Sequence, residues 1–171
     1  MKKIKFGFWE NLIFVCLAII LTLRLIPSGY IPKIIFSNIS SSLPYHIYLR
    51  IPNIYTAAGD YVVYIPPKEV KDIAASRGWM KEETFFLKEI GGVAGDSYYI
   101  SKDLNFYING KYIGKVSATD KENRPMPFNP GLNIIPEDSF LPIGTNPKSF
   151  DGRYTGAVSN KAIIAKVIPI F

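Results

Sequence analysis

The segment NFYINGKYI, residues 105–113, shows most directly what kind of fold this chain adopts. Two short runs of strand-forming residues flank the dipeptide Asn109-Gly110. A type I′ turn favours this dipeptide because both of its central residues have positive φ, and that turn joins the strands of a tight hairpin. The segment therefore predicts a β-hairpin.

Similar strand-like runs lie on both sides of the hairpin, each short and bounded by Pro, Gly or Asn. They cover residues 46–51, 60–65, 84–90, 96–101 and 159–170. The many short runs with turn residues between them are typical of antiparallel sheets. We expect an all-β domain.

One segment of this domain has the signals of a helix. Residues 67–77 begin with a proline, are followed by Gly78 and place Val70, Ile73 and Ala74 on one face. Residues 117–131 are polar, contain three prolines and predict a long loop. The expected domain therefore carries one small helix.

An apolar run, LIFVCLAIILTL, occupies residues 12–23 and follows lysines at positions 2, 3 and 5. With its apolar flanks it approaches the roughly 20 residues of a transmembrane helix, and the lysines favour a cytoplasmic N-terminus. A cleaved signal peptide is the alternative, but residues 24–27 lack the small side chains of a cleavage site. We expect residues 1–27 to form a basic tail and a retained anchor in the inner (cytoplasmic) membrane, and residues 28–171 to form one extracytoplasmic, periplasmic domain.

The composition bears on whether the chain binds nucleic acid, a metal or a cofactor. The net charge of the 171 residues is +6, and Lys2, Lys3, Lys5 and Arg24 against Glu10 supply +3 of it near the predicted anchor. A nucleic-acid partner is therefore not expected. The chain has one histidine and one cysteine, Cys16, which lies in the apolar run, so we expect no disulfide, metal site or cofactor.

The pentapeptide SSSLP, residues 40–44, combines three hydroxyls with a proline that fixes φ. Such a stiff turn can present a nucleophile, and a linker fits the same residues. A serine hydroxyl also needs a base. In an extended segment, His46 would lie about 13 Å from Ser42, too far for a hydrogen bond, so a surface or packing role for His46 is expected.

Lys88 is the other candidate base, because it follows the apolar run 85–87. In a buried strand, desolvation would lower its pKa by the roughly 3 units that a base near neutral pH requires. Lys88 would share a strand face with Ile90, whereas Glu89 would point the other way and leave the lysine unpaired. A surface lysine that protects an edge strand is the alternative.

A third polar group, SFDGRY, occupies residues 149–154. Asp151 and Arg153 are two residues apart and can pair or brace the backbone. An ordinary Asp-Gly turn explains the same residues.

Taken in order, these groups resemble three motifs of the type I signal peptidase superfamily, most closely its conjugative-transfer branch, the TraF-type peptidases that mature pilin subunits. The similar motifs are Ser40-x-Ser42-Leu43-Pro44-x-x-x-Tyr48, Lys88-x-Ile90-x-Gly92-x-x-Gly95-Asp96 and Ser149-Phe150-Asp151-x-Arg153-Tyr154-x-Gly156-x-Val158. The resemblance implies signal-peptidase-like antiparallel sheets with a shallow groove for an extended peptide.

For the first two motifs, the resemblance implies that Ser42 is the nucleophile and Lys88 the general base. The Ser40 hydroxyl and the Ser42 amide would form the oxyanion hole. Four residues depart from the family pattern: His46, Glu89, Ala94 and Gly152 stand where Gly, Arg, Pro and Ser are usual.

For the third motif, the resemblance implies that Ser149 orients the lysine and that Asp151 and Arg153 support the site. The implied function is that of a membrane-anchored serine endopeptidase that processes a propilin or similar membrane-associated pre-protein, by hydrolysis or with cyclisation. A general leader peptidase and a non-catalytic β scaffold of a secretion or pilus machine are the alternatives.

Overall fold

The computed structural model describes residues 7–25, 33–52, 55–80 and 85–171. The chain divides into two units, Met1–Ile34 and Ile35–Phe171. The basic residues at positions 2, 3 and 5 and the predicted domain boundary after residue 27 lie outside the described residues.

The first unit contains helix α1, Phe8–Leu25, which coincides with the apolar run. Within the described part of the chain, no helix has the length and apolarity needed to cross a membrane. The structure thus confirms a helix at this position and does not confirm the predicted transmembrane helix.

The second unit is built mainly from strands, as predicted. The strands are β1 (Ile35–Ser37), β2 (Ile47–Ile51), β3 (Tyr61–Tyr64), β4 (Phe86–Val93), β5 (Ser97–Ile100), β6 (Asn105–Ile108), β7 (Lys111–Lys115), β8 (Gly131–Ile134), β9 (Ser139–Ile143), β10 (Val158–Ser159) and β11 (Ile163–Pro169). The helices are α2 (Lys68–Ser76) and α3 (Gly152–Thr155), and Asn160–Ala162 form a 3₁₀ turn. The sequence predicted one helix in this unit, so α3 is a second helix that was not predicted.

The strands form two antiparallel sheets. The large sheet has the order β1-β2-β11-β3-β4-β9-β10, and the small sheet has the order β7-β6-β5-β8. Strand β4 lies inside the large sheet between β3 and β9, and a short turn after it leads into β5 of the small sheet. The chain therefore passes from one sheet to the other at the end of β4.

The predicted hairpin and helix have the expected local geometry. Asn109 and Gly110 have φ of 48° and 77°, the positive values of a type I′ turn, and they connect β6 to β7. Helix α2 starts directly after Pro67 and ends before Gly78, whose φ is 70°. Both predictions are confirmed.

The two faces of β4 enter different parts of the core. Leu87 belongs to a buried cluster with Tyr48 and Val63, whereas Ile90 belongs to a separate cluster with Tyr64. Because side chains alternate along a strand, the residue between Leu87 and Glu89 also faces the interior, on the side of Ile90. This alternation puts Lys88 inside the protein.

A close approach of strands follows from the glycine at position 91. A Cβ there would collide with Ile143 of β9 and lie 3.2 Å from the Ile108 side chain of β6. The absence of a side chain lets both strands pack against the end of β4.

Candidate active site

The three serines of SSSLP lie in the turn that joins β1 to β2, residues 38–46, which we name the serine turn. The turn closes with a backbone hydrogen bond of 2.8 Å from Asn38 N to His46 O. The Ser40 Oγ lies 2.7 Å from the Ser42 Oγ and 2.7 Å from the Asn38 Oδ1. Ser42 is 6% exposed, so its hydroxyl is held in place and shielded from bulk water.

The amide group of Asn38 also fixes the far end of the turn. Its Nδ2 lies 3.4 Å from the Leu43 carbonyl and 3.2 Å from the Tyr45 carbonyl. Asn38 is itself buried. One side chain thus connects both ends of the segment that holds Ser40 and Ser42.

The loop that follows β9 supports the serine turn from outside. The Ser42 carbonyl accepts hydrogen bonds from Thr145 Oγ1 and Asn146 N, each at 3.3 Å. The Asn146 Nδ2 donates to the Ser41 Oγ at 3.1 Å, which gives the middle serine a structural contact. These bonds join positions more than one hundred residues apart in sequence.

Gly144 begins this loop and lies between the turn and the third sequence motif. A Cβ at Gly144 would be 2.8 Å from the Ser42 carbonyl oxygen and would collide with the Ser149 side chain. Ser42 and Ser149 therefore approach each other across a position that has no room for a side chain.

Lys88 lies on β4 and pairs with Val62 of β3. The next two residues of β4, Glu89 and Ile90, pair with Ile143 and Pro142 of β9, the strand that ends one residue before Gly144. The sequence left open whether Lys88 is buried or protects an edge strand at the surface, and the structure buries it, with 6% of the residue exposed. Its Nζ lies 5.7 Å from the centre of the Phe86 ring.

Burial lowers the pKa of Lys88 from 10.5 to about 8, although the negative charge of Asp151 acts in the opposite direction and Arg153 adds to the lowering. Among the described residues, the Lys88 side chain makes no hydrogen bond or ion pair. Glu89 on the opposite face is half-buried, and burial raises the pKa of its carboxyl. Lys88 can therefore lose its proton near neutral pH and act as a base.

Asp151 and Arg153 form a buried ion pair with two parallel hydrogen bonds. Arg153 Nε donates to Asp151 Oδ1 at 2.9 Å, and Arg153 Nη2 donates to Asp151 Oδ2 at 2.7 Å. Burial opposes the charge of Arg153, but its hydrogen bonds to Asp151 raise the net pKa of the guanidinium above its ordinary value. Arg153 therefore keeps its positive charge inside the protein.

The same pair holds the loop after β9. Asp151 Oδ2 accepts from Gly144 N at 2.8 Å, while Arg153 Nη2 donates to the carbonyls of Gly144 at 3.1 Å and Asn146 at 2.8 Å. Since this loop contacts Ser42, the ion pair fixes the position of the serine turn indirectly.

Ser149 and His46 complete the predicted set. The Ser149 Oγ is buried and has no hydrogen-bond partner among the described residues, so the implied bond to Lys88 is not formed here. The exposed His46 places Nδ1 3.3 Å from the Asn38 carbonyl. It makes no hydrogen bond to Ser42 within the described ranges, and this is compatible with the expected packing role.

Sequence reasoning missed Asn38, Gly144 and Asn146. Asn38 had a usable signal, because an asparagine side chain commonly accepts a hydrogen bond from the backbone two residues later, and Ser40 N lies 3.2 Å from Asn38 Oδ1. The other two residues lie in a Gly-Thr-Asn-Pro segment that indicates a loop and nothing about its neighbours.

The chain is similar to several known proteins. The family model described as signal peptidase, peptidase S26, matches residues 8–171. The plasmid transfer protein TraF of Escherichia coli is 26% identical over 144 residues, which cover 78% of this chain and 80% of that protein. The crystal structure of a signal peptidase I from Enterococcus faecalis V583 is similar with a TM-score of 0.42 and 17% identity, over 68% of this chain and 100% of that chain.

Proposed function

The chain belongs to the signal peptidase family, peptidase S26, and we propose that it is a serine endopeptidase in which Ser42 is the nucleophile and Lys88 the general base. The observation that carries the proposal is the state of Lys88. Lys88 is 6% exposed, has a pKa of about 8 and lies on the strand that pairs with β9, which leads to Gly144 and the Ser42 carbonyl; these properties support its assignment as the base for this serine.

The chemistry follows from these two groups. Neutral Lys88 removes the proton of the Ser42 hydroxyl as Ser42 Oγ attacks the scissile carbonyl carbon. The resulting ammonium then gives that proton to the leaving amine, and an acyl-enzyme ester remains on Ser42. Water, or an amino group of the substrate, attacks the ester while Lys88 accepts a proton from the attacking group. The bond between the acyl carbon and Ser42 Oγ breaks, and Lys88 gives the proton to Ser42 Oγ, which restores the serine hydroxyl and the neutral lysine.

A pKa of about 8 suits both halves of this cycle. At pH 7 about a tenth of the Lys88 side chains are neutral, and at pH 8 about half are. The base is thus available near neutral pH, and its conjugate acid is strong enough to protonate the leaving amine.

Two hydroxyls are assigned supporting roles. The negative oxygen of the tetrahedral intermediate would be stabilised by the Ser42 N–H and by the Ser40 hydroxyl, whose oxygen lies 2.7 Å from the nucleophile oxygen. The buried hydroxyl of Ser149 has an open acceptor site and would receive an N–H of Lys88, directing the lone pair of Lys88 at Ser42.

The proposed substrate is a propilin or a similar membrane-associated pre-protein of conjugative transfer. Similarity to the plasmid transfer protein TraF supports this choice. The proposed location is the cytoplasmic membrane, with residues 1–27 as the basic tail and anchor, the N-terminus in the cytoplasm and the β unit on the periplasmic side. The product would be a trimmed linear pilin or a cyclised one.

A general leader peptidase would use the same dyad on many pre-proteins. A non-catalytic scaffold is disfavoured because Lys88 is buried with no ion pair to any described residue, which lowers stability without benefit to a scaffold. We therefore rank the catalytic function above the structural one.

The test uses the purified full chain and a co-purified propilin or a peptide that spans its processing junction. Ser42→Ala and Lys88→Ala should each abolish product formation, while Ser41→Ala, which removes a neighbouring hydroxyl of the same turn, should keep it. Cleavage that persists in both of the first two variants would refute the dyad. Mass spectrometry separates the two products, because a cyclised pilin is lighter than the trimmed linear chain by one water.

A further inference from the structure

The hydrogen bonds of Asn38 determine which way its amide group is turned. One end faces the carbonyl oxygens of Leu43 and Tyr45, at 3.4 and 3.2 Å, and carbonyls can only accept. The other end faces the Ser40 N–H at 3.2 Å, which can only donate. The NH₂ group must therefore face the two carbonyls, and Oδ1 must face Ser40.

This orientation fixes the direction of the next two hydrogen bonds. The Oδ1 atom only accepts, so the Ser40 hydroxyl gives its single proton to Asn38 across 2.7 Å. The bond between Ser40 Oγ and Ser42 Oγ, also 2.7 Å, then has only one possible donor, the hydroxyl of Ser42. The protons point from Ser42 to Ser40 and from Ser40 to Asn38.

Ser40 has no hydrogen-bonding capacity left in this state. Its O–H donates to Asn38 Oδ1, and its oxygen accepts from the Ser42 hydroxyl and, at 3.4 Å, from the Ser42 N–H. A hydroxyl has one proton and two lone pairs, and all three are in use. The proton of the Ser42 hydroxyl is therefore directed at Ser40, and the Ser40 proton is directed at Asn38.

We propose that Asn38 is a positioning residue of the active site, which acts by holding the Ser40 hydroxyl against Ser42. The proposal rests on the proposed function, since it assigns to Asn38 the task of presenting Ser40 to the reacting group. When Lys88 takes the Ser42 proton, Ser40 loses the hydrogen bond that it accepted. Asn38 Oδ1 still accepts the hydrogen bond from the Ser40 N–H, and this bond keeps residue 40 in place while the Ser40 proton turns from Oδ1 to the oxyanion that forms beside it.

A double-mutant cycle on kcat tests whether Asn38 acts through Ser40. Loss of an oxyanion donor lowers kcat by about 100-fold, so Ser40→Ala should do so. Asn38→Ala, which leaves Ser40 present but free to rotate, should lower kcat by about 10-fold with little change in KM. In the Ser40→Ala background, Asn38→Ala should have no further effect on kcat.

Stability provides a readout that separates positioning from a merely structural role. Asn38→Ala should lower the melting temperature in both backgrounds, because the bonds to Leu43 and Tyr45 are lost in both. Its effect on kcat should appear only when Ser40 is present. The matched control is Ser41→Ala, whose effect on kcat should stay within about twofold and should add to that of Asn38→Ala.

Asn38→Asp provides the second arm if Asn38→Ala does not fold. The carboxylate keeps the acceptor for Ser40 and loses the two donors, so Ser40→Ala should still lower kcat by about 100-fold in this background. The proposal is overturned if Asn38→Ala leaves kcat unchanged or raises it, if the double variant falls about 10-fold below Ser40→Ala, or if Asn38→Asp removes the dependence on Ser40.

Failure of this proposal is distinguishable from failure of the proposed function. If Ser42→Ala still cleaves the substrate, the proposed dyad is wrong, and the role of Asn38 that rests on it is refuted with it. If Ser42→Ala is inactive and the effects of Asn38→Ala and Ser40→Ala add, the dyad stands and only the role of Asn38 is refuted.

Discussion

Replacing Lys88 with methionine should remove activity and make the protein more stable at neutral pH. The pKa of Lys88 is about 8 in the folded chain, against 10.5 for the free side chain. The difference of about 2.5 units corresponds to about 3 kcal/mol of unfolding free energy. At pH 7 the wild-type protein is less stable by this amount because it buries a charged ammonium group. The Lys88→Met variant buries no charge at this position.

The sign of the pH dependence follows from the lowered pKa. Below pH 8, Lys88 is protonated in both the folded and the unfolded wild-type protein, and the full loss of about 3 kcal/mol applies. Between about pH 8 and 10.5 the unfolded protein binds more protons than the folded protein, so the wild type gains stability as the pH rises. The advantage of Lys88→Met should therefore shrink from about 3 kcal/mol at pH 7 to about half of that at pH 9.5.

Urea unfolding of the full chain measures this difference. The fluorescence of Trp79 reports on the β unit, since its ring packs 5.1 Å from Phe150. Lys111→Met, a change at an exposed strand lysine, is the control and should alter the unfolding free energy by less than about 0.5 kcal/mol. A Lys88→Met protein no more stable than wild type at pH 7, or a gap that is the same at both pH values, would refute the reasoning.

Three further substitutions test the supports of the site. Asp151→Asn leaves Arg153 buried without its partner and should lower the free energy of unfolding in urea by about 3–5 kcal/mol. The same change removes the negative charge that raises the pKa of Lys88, so the alkaline rise of kcat/KM should move below pH 8. A midpoint that stays in place or moves up would contradict this prediction. Gly144→Ala should cost about 1–3 kcal/mol and most of kcat because its methyl group meets Ser149 and the Ser42 carbonyl; unchanged activity would show that the loop can yield. Ser149→Ala removes a buried hydroxyl that has no partner among the described residues, so kcat should fall without loss of melting temperature, and a fall in both would indicate a structural role instead.

Features set by short stretches of sequence were predictable. The β6–β7 hairpin follows from the backbone preferences of two residues, and helix α2 follows from its flanking Pro67 and Gly78. The burial of Lys88 could be inferred from its apolar neighbours and from strand alternation, since Glu89 takes the opposite face. Each of these inferences needed fewer than about a dozen residues.

Features set by distant contacts were not predictable. Strand β4 continues to Val93, beyond the predicted end at residue 90, because the glycine at 91 lets Ile143 and Ile108 pack against it. Strand β9 contains Pro142, which argues against a strand when only the local sequence is read.

The contacts between the serine turn and the loop after β9 were also not predictable from sequence. The anchoring of the serine turn by Thr145 and Asn146 spans more than one hundred residues, and no local signal encodes it. The motifs could be recognised from sequence as a set, but the hydrogen bonds that hold them together required the structure.

The two proposed catalytic groups are held by parts of the sheet that differ in how firmly they are anchored. Lys88 lies on β4, which has a neighbouring strand on each side. The serine turn connects β2 to the three-residue β1, which is the outermost strand of the described sheet. Local opening is easiest where few bonds must break. On gradual heating, enzymatic turnover should therefore stop several degrees before the domain melts, and it should return on cooling.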